Sequence, residues 1–205
     1  MILKNQEKWV NEYIKDIDLK NIEWIKLNST ELEEFLKNNY FDYELWEYVH
    51  DKNADRVFPT LLGMHYLNVY SPINGKDYSF LLGVVNNNIG KKTIVCSIVY
   101  LDEYFVFNDQ NEPLTYVSTI EVNSFFRNQG LCKNSCEMFL NFVNPNQHIL
   151  ISRQSEMGKK CKVYETLMKT AVNNGFGKYV LEDNYHLSNL ELYEIIFAKP
   201  KILKK

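Results

Sequence analysis

One stretch of the chain joins a strand pattern to a helix pattern through a short loop that contains a glycine. The segment 114–122 is rich in β-branched residues and has no breaker, which predicts a strand. Downstream, mostly apolar residues recur at helical spacing, at Leu131, Ser135, Met138, Phe139, Phe142 and Val143. A strand that turns directly into a helix presents backbone N–H groups without acceptors, and these groups and the helix dipole attract an anion. The sequence therefore predicts a phosphate or pyrophosphate site over residues 125–132.

A second strand and a second helix come next at short distance. Residues 148–152 form a short apolar run typical of a buried strand, and residues 158–172 have the apolar spacing of an amphipathic helix. Gly175 is expected to close this helix in the left-handed conformation, with Phe176 folding back onto its last turn. The next strand is expected at 179–181.

The loop resembles the acyl-CoA signature of the GNAT superfamily of N-acyltransferases, which reads Arg/Gln-x-x-Gly-x-Gly/Ala. Arg127 and Gly130 match this pattern, whereas Cys132 stands where the family has Gly or Ala. The resemblance covers about Tyr116 to Phe176, and the N-terminal half carries no matching motif. A plain strand–turn–helix, in which Gly130 only relaxes a tight turn, is the alternative interpretation.

Other nucleotide and metal motifs are absent from the sequence. There is no Walker loop and no Gly-x-Gly-x-x-Gly. The four cysteines form no Cys-x-x-Cys pair and the four histidines show no zinc spacing, so no metal site is predicted. Cys132 and Cys136 lie one helical turn apart, which is poor geometry for a disulfide within a helix, and reduced thiols are expected.

The order of predicted elements is strand, two helices, three strands, helix, strand, helix, strand. This order predicts an α/β (α+β) fold, and the GNAT resemblance implies a mixed, mostly antiparallel central sheet with helices on both faces. We expect one domain over 1–205, with an extra N-terminal helix within 1–20. The helix after the first strand is expected to be capped by Ser29 or Thr30, with Glu33 or Glu34 completing a capping box.

Composition restricts the classes of partner. The net charge of −3 gives no overall attraction to nucleic acid or anionic lipid. No apolar run is long enough to span a membrane, and the first eight residues lack the apolar stretch of a signal peptide. We therefore expect a cytoplasmic protein without nucleic-acid or membrane partners, for which a homodimer is an option.

The resemblance also implies where acetyl-CoA binds as co-substrate. The pyrophosphate would contact the backbone amides of the loop and the start of the helix, and the pantetheine arm would pair with the strand backbone from Ile120 to Val122. Ser155 would replace the family's Asn as a pantetheine contact, or else cap a helix. The expected loop contacts are Arg127, Asn128, Gln129, Gly130, Leu131, Cys132 and Lys133.

The implied activity is direct acetyl transfer to a primary amine. Glu121 is the carboxylate beside the expected thioester position and is the candidate base; alternatively it lies on a solvated strand face. Tyr164 is the candidate acid for the leaving sulfur, or else a core aromatic residue. Cys132 at a helix start invites a nucleophile interpretation, but no histidine is near it in sequence and pyrophosphate would disfavour a thiolate there.

The acceptor is less well determined by the sequence. Carboxylates interleaved with aromatic residues over 42–55 would suit a cationic small molecule if this segment borders the acceptor entrance. A solvated acidic helix face explains the same pattern. A GNAT-like module that binds acyl-CoA, or only a protein partner, without transfer is the second functional interpretation.

Overall fold

The computed structural model describes residues 10–40, 77–102, 106–107, 112–143, 147–153, 162–180 and 194–200. Several sequence predictions lie outside these residues. They are the second of the two helices predicted after the first strand, the acidic and aromatic segment 42–55, and Ser155. Cys161 also lies outside the described residues.

The chain divides into two compact units. The first comprises Met1–Ser97 and Glu121–Leu131, and the second comprises Ile98–Ile120 and Cys132–Lys205. All three boundaries along the chain fall inside continuous elements, because strand β3 (Lys92–Leu101), strand β5 (Glu112–Val122) and the helix Leu131–Phe142 each contribute to both units. A single domain over 1–205 stays a prediction.

The first unit begins with a single π-helical turn, Val10–Ile14, and a 3-10 turn, Leu19–Asn21. Strand β1 (Glu23–Leu27) pairs antiparallel with β2 (Ser79–Asn86), and β3 comes after a tight turn at 87–91. Leu32 and Leu36, on the helix after β1, and the apolar residues of β2 and of the first half of β3 are buried in this unit, and the helix contacts β1 and β2.

Helix α1 (Ser29–Tyr40) begins one residue earlier than the expected cap allows. Asn28 is the capping residue: its side-chain oxygen accepts from the N–H of Glu31 at 2.9 Å, and the Glu31 carboxylate accepts from the N–H of Asn28 at 2.8 Å. This reciprocal pair is a capping box. The prediction of Ser29 or Thr30 with Glu33 or Glu34 was therefore wrong, because Asn caps helices as well as Ser does.

The second unit carries the rest of the sheet and two helices. Its strands are β4 (Val106–Phe107), β6 (His148–Arg153), β7 (Phe176–Val180) and β8 (Glu194–Pro200), together with parts of β3 and β5. Within this unit the strand order is β3-β5-β6-β8-β7, with β4 paired to β5. Helix α2 (Leu131–Phe142) lies after β5 in the chain, and helix α3 (Lys162–Asn173) lies after β6.

The sheet is mixed and mostly antiparallel, as expected. Only β5 and β6 form a parallel pair among the strand pairs with a described register; β4–β5, β6–β8 and β7–β8 are antiparallel. Sequence reasoning missed β4 and β8. Lys199 of β8 pairs with Gly177 of β7.

The expected end of α3 is confirmed. Gly175 has φ of +96°, in the left-handed region, and its N–H donates to the carbonyl of Val172 at 3.0 Å. Phe176 is buried and opens β7. In the same unit, the ring of Phe139 on α2 packs edge-on against Tyr100 of β3, with centroids 5.1 Å apart.

Candidate functional site

The parallel pairing of β5 with β6 stops before either strand ends. The ladder runs from Leu114–His148 to Val117–Ile151, whereas β5 continues to Val122 and β6 to Arg153. Parallel strands that stop pairing in mid-course have begun to separate.

Tyr164, in the first turn of α3, is placed on the first part of β5 beyond this ladder. Its hydroxyl donates to the carbonyl oxygen of Ser118 at 3.3 Å, and the side chain is half-buried. The structure therefore brings Tyr164 to the strand that carries Ile120, which is itself buried. To protonate another atom, the Tyr164 hydroxyl would have to leave the Ser118 carbonyl.

The end of β5 is fixed by Asn123, a residue that sequence reasoning missed. Its N–H donates to the Val95 carbonyl at 3.0 Å and its side-chain amide donates to the Ile94 carbonyl at 3.3 Å. Its side-chain oxygen accepts from the N–H of Phe125 at 3.1 Å, which turns the chain into the 3-10 turn Ser124–Phe126. An Asn directly after a strand and before Ser is a typical turn signal, and it could have identified this residue.

The loop after this turn contains two residues in the left-handed conformation. Asn128 has φ of +65° and Gly130 has φ of +79°. A Cβ added to Gly130 would meet nothing within 4 Å, so the glycine serves backbone conformation and not close packing within the chain. Arg127, Asn128, Gln129 and Gly130 are all exposed.

Arg127 holds the loop against the end of its strand. Its Nε donates to the carbonyl oxygen of Val122 at 3.3 Å. The guanidinium thus uses one donor on the protein and keeps its other N–H groups for additional acceptors. Glu121 and Val122, the neighbouring candidates, are both half-buried.

Helix α2 starts immediately after Gly130, which has no side chain that could cap it. The first turn of the helix contains no acidic residue. The first-turn N–H groups have no acceptor within the helix, and the first turn itself brings no carboxylate to the positive end of the dipole. Such a helix start favours an anion from outside the chain.

The first turn of α2 is anchored on one side and accessible on the other. Leu131 is buried, and the Ser135 hydroxyl donates to the Cys132 carbonyl at 3.0 Å. Lys133 is exposed and lies 3.6 Å from Glu137 in a solvent-facing pair. Such exposed pairs contribute about 0–1 kcal/mol to stability, so Lys133 can turn toward a bound anion at little cost.

Cys132 has an unusually acidic thiol. A side-chain hydrogen bond with Cys136 lowers its pKa to about 7, and a hydrogen bond with Thr166 of α3 acts in the same direction, while burial opposes both. The sequence did not indicate the contact with Thr166, because it joins two helices that are distant in the chain. Cys132 is therefore an ionisable group beside the loop, and not only a small side chain that leaves space for the backbone.

The described residues limit two other classes of site. They contain no group of three or more His, Cys, Asp or Glu side chains arranged for a metal ion. No helix among them is long and apolar enough to cross a membrane. Ser155 is outside the described part of the chain, so its contact with the co-substrate stays a prediction.

Comparison with known proteins finds similarity only at the level of solved structures. No protein-family model matches the sequence, and no curated protein matches it. An acetyltransferase of the GNAT family from Staphylococcus aureus Mu50 aligns over 88% of this chain and 100% of its own, with 15% identity and a TM-score of 0.40. A histone acetyltransferase and related acetyltransferase from Corynebacterium glutamicum aligns over 88% and 96%, with 11% identity and a TM-score of 0.42.

A third similar structure is described as AtaTR bound with AcCoA. It aligns over 87% of this chain and 93% of its own, with 12% identity and a TM-score of 0.41. Alignments at this level leave the chemistry of the present chain to be argued from its own residues.

Proposed function

We propose that this chain is a GNAT-type N-acetyltransferase that transfers an acetyl group from acetyl-CoA directly to a primary amine. The observation that carries the proposal is the path of β5. Its ladder with β6 ends at Val117, and the strand then continues to Val122 and leads through a left-handed loop into the uncapped start of α2.

The pyrophosphate of acetyl-CoA would bind the backbone N–H groups at the start of α2. Each such charge-assisted bond contributes about 1.5–3 kcal/mol. Arg127 and Lys133 would add positive charge at the two sides of the loop. The pantetheine arm would run along β5 beyond the ladder, and an N–H between Ile120 and Val122 would polarise the thioester carbonyl.

Acetyl transfer requires two proton movements. The amine nitrogen attacks the thioester carbon, the carbon–sulfur bond breaks, and the amide loses a proton while the CoA thiolate gains one. A primary amine with a pKa near 10.4 is neutral in only about one molecule in a thousand near pH 7.4, which corresponds to about 4 kcal/mol. We assign Glu121, directly or through water, as the base, and Tyr164 as the acid for the sulfur.

The acceptor we propose is a cationic amine. Several carboxylates and aromatic residues in segment 42–55 would concentrate a cation by charge and by cation–π contact. Replacing Asp42, Glu44 and Glu47 by the matching amides should raise the Michaelis constant for the amine and leave that for acetyl-CoA unchanged. Preference for a neutral or anionic acceptor in an unbiased screen would contradict this assignment.

A module that binds acyl-CoA without transferring the acyl group is the second candidate. The Tyr164 hydroxyl favours it, because that hydroxyl donates to the Ser118 carbonyl. Titration with acetyl-CoA, followed by release of the CoA thiol against a panel of primary amines, separates the two candidates. Binding with amine-dependent thiol release supports the transferase, binding without release supports the module, and no binding overturns both.

A further inference from the structure

Two thiols share one face at the start of α2. Cys132 and Cys136 are four residues apart on the helix, so their side chains lie one above the other on the same face. Cys132 is half-exposed, whereas Cys136 is fully buried. A reagent from solvent therefore reaches Cys132 first, and Cys136 is the second thiol beside it.

Cys132 ionises more readily than an ordinary cysteine. Its pKa is lowered to about 7 by Cys136 and, against burial, by Thr166, so more of this thiol is ionised near neutral pH. The thiolate is the species that peroxides oxidise, and a low-pKa, accessible cysteine beside a second cysteine is the usual arrangement of a redox-sensing pair.

A bridge between these cysteines does not fit the helix that holds them. Side chains at positions i and i+4 of a helix have Cβ atoms about 5–6 Å apart. A disulfide needs Cβ atoms about 3.5–4.5 Å apart. Closing this gap requires backbone movement, and the turn between the two cysteines is the first turn of α2, next to the glycine at its start.

We propose that Cys132 and Cys136 form a hydroperoxide-sensitive pair whose disulfide distorts the first turn of α2 and abolishes acetyl-CoA binding. The inference rests on the proposed function, since the distorted turn is the one that would hold the pyrophosphate. Reduction of the disulfide restores the helix and the site.

The peroxide is the oxidant that accepts the two electrons needed to form the disulfide. The Cys132 thiolate attacks the peroxide, the O–O bond breaks, and a sulfenic acid forms while an alcohol or water leaves. The Cys136 thiol then attacks the sulfenic sulfur: the S–S bond forms, the S–O bond breaks, and the oxygen leaves as water with the thiol proton. The two thiols lose two electrons and the peroxide gains them. A strained disulfide of this kind is readily reduced by thiols.

Acetyl-CoA binding and formation of the Cys132–Cys136 disulfide should each disfavour the other. If the disulfide weakens acetyl-CoA binding by some factor, bound acetyl-CoA disfavours the disulfide by the same factor. Bound pyrophosphate also places negative charge next to Cys132 and covers it. Saturating acetyl-CoA should therefore slow oxidation of the pair by hydrogen peroxide.

The experiment uses the full chain carrying Cys161→Ser, so that this cysteine cannot exchange. Acetyl-CoA is the probe, because its sulfur is acylated and cannot form a mixed disulfide. After treatment with hydrogen peroxide, intact mass should show the loss of two hydrogen atoms. The dissociation constant for acetyl-CoA should rise at least 10-fold, and dithiothreitol should restore both values.

Cys136→Ala is the matched control. The reduced variant should bind acetyl-CoA like the parent, but peroxide should add oxygen to Cys132 without forming a bridge, and dithiothreitol should not fully reverse prolonged treatment. Cys136→Ser repeats the control in case loss of the sulfur destabilises the helix.

The outcomes separate this inference from the proposed function. Equal affinity in the reduced and bridged forms, or absence of a Cys132–Cys136 bridge in the parent, overturns the inference and leaves the function intact. Failure of the reduced parent to bind acetyl-CoA overturns the function, and the coupling with it.

Discussion

Two loops of the first unit share the same two key residue types, an initial Asn and a left-handed Gly, but lead into different elements. The hairpin turn 87–91 and the loop 123–130 both begin with a buried Asn and contain an exposed Gly in the left-handed region, at φ of +74° for Gly90 and +79° for Gly130. In the hairpin, Asn87 accepts from the N–H groups of Ile89 and Lys91, and the turn binds its own donors.

The second loop binds its donors only at its beginning. Asn123 accepts from the N–H of Phe125, but the chain then runs through Gly130, which has no side chain, into α2, whose first turn contains no acid. The difference teaches that a left-handed glycine is not itself a binding feature. The element that the glycine leads into, a strand or a helix start, decides whether the amides serve the fold or an external anion.

The largest effect on acetyl-CoA binding is expected from a bulky side chain in the loop 123–130, and none is expected from the same side chain in the hairpin turn 87–91. Gly130→Trp should remove detectable acetyl-CoA binding, because the indole would occupy the position of the pyrophosphate. Gly90→Trp is the matched control, since Gly90 has the same backbone conformation and no atom within 4 Å of an added Cβ.

Both variants should lose about 1–2 kcal/mol of stability, the cost of a left-handed non-Gly residue. Thermal unfolding measures that cost, and calorimetric titration measures the affinity. Equal affinities in the two variants would remove the loop 123–130 from the binding site.

Glu121→Gln sharpens the comparison by separating binding from chemistry. The turnover number should fall about 100-fold or more near pH 7, as expected for loss of a general base. The loss should be greatest at low pH, where the amine is most protonated, and the dissociation constant for acetyl-CoA should stay within twofold. A pH–rate profile that overlays the profile of the parent would exclude Glu121 as the base.

The sequence correctly predicted the elements whose signals lie in consecutive residues. The strand over 114–122 is confirmed as β5 and the helix from Leu131 as α2, because long β-branched runs and helical apolar spacing are strong local signals. Gly175 was predicted correctly at its helix end for the same reason. The loop contacts with acetyl-CoA stay predictions.

The features that the sequence could not supply depend on contacts between distant segments. Strand β8 has only a short apolar run, Ile195 to Phe197, and it lies between β6 and β7, against chain order. The contact of Cys132 with Thr166, and that of Tyr164 with Ser118, each join α3 to another element. Neither the spacing of residues nor the composition of the chain predicts such long-range contacts.

Tyr164→Phe tests whether the Tyr164 hydroxyl protonates the leaving CoA sulfur. If the hydroxyl leaves Ser118 to protonate the departing sulfur, the turnover number should fall about 10-fold while acetyl-CoA affinity stays close to that of the parent. Loss of the bond to Ser118 should cost about 1 kcal/mol of stability. A normal rate combined with that stability loss would assign Tyr164 a purely structural role.

The two asparagines give a smaller and more direct test of the comparison. Asn123→Ala and Asn87→Ala should each lower the free energy of unfolding by about 1–3 kcal/mol, because the first leaves the buried Ile94 carbonyl without the Asn123 amide and the second removes the buried bond between Asn87 and the Thr93 hydroxyl. Only Asn123→Ala should also weaken acetyl-CoA binding, by about fivefold, since it releases the loop that leads into α2. Chemical denaturation and titration measure the two effects, and equal affinity changes in both variants would show that general destabilisation is responsible.

The smallest effect is expected at Arg127. Arg127→Ala removes a positive charge and the bond to the Val122 carbonyl, but the backbone amides of α2 remain, so acetyl-CoA affinity should fall only about threefold. Lys91→Ala removes the same charge from the hairpin turn and should leave the affinity unchanged. Because an exposed charge acts through solvent, the loss at Arg127 should shrink as the Debye length falls from about 10 Å at 0.1 M salt to about 3 Å at 1 M. A loss at Arg127 as large as that of Gly130→Trp would mean that the guanidinium, and not the helix start, is the main anion contact.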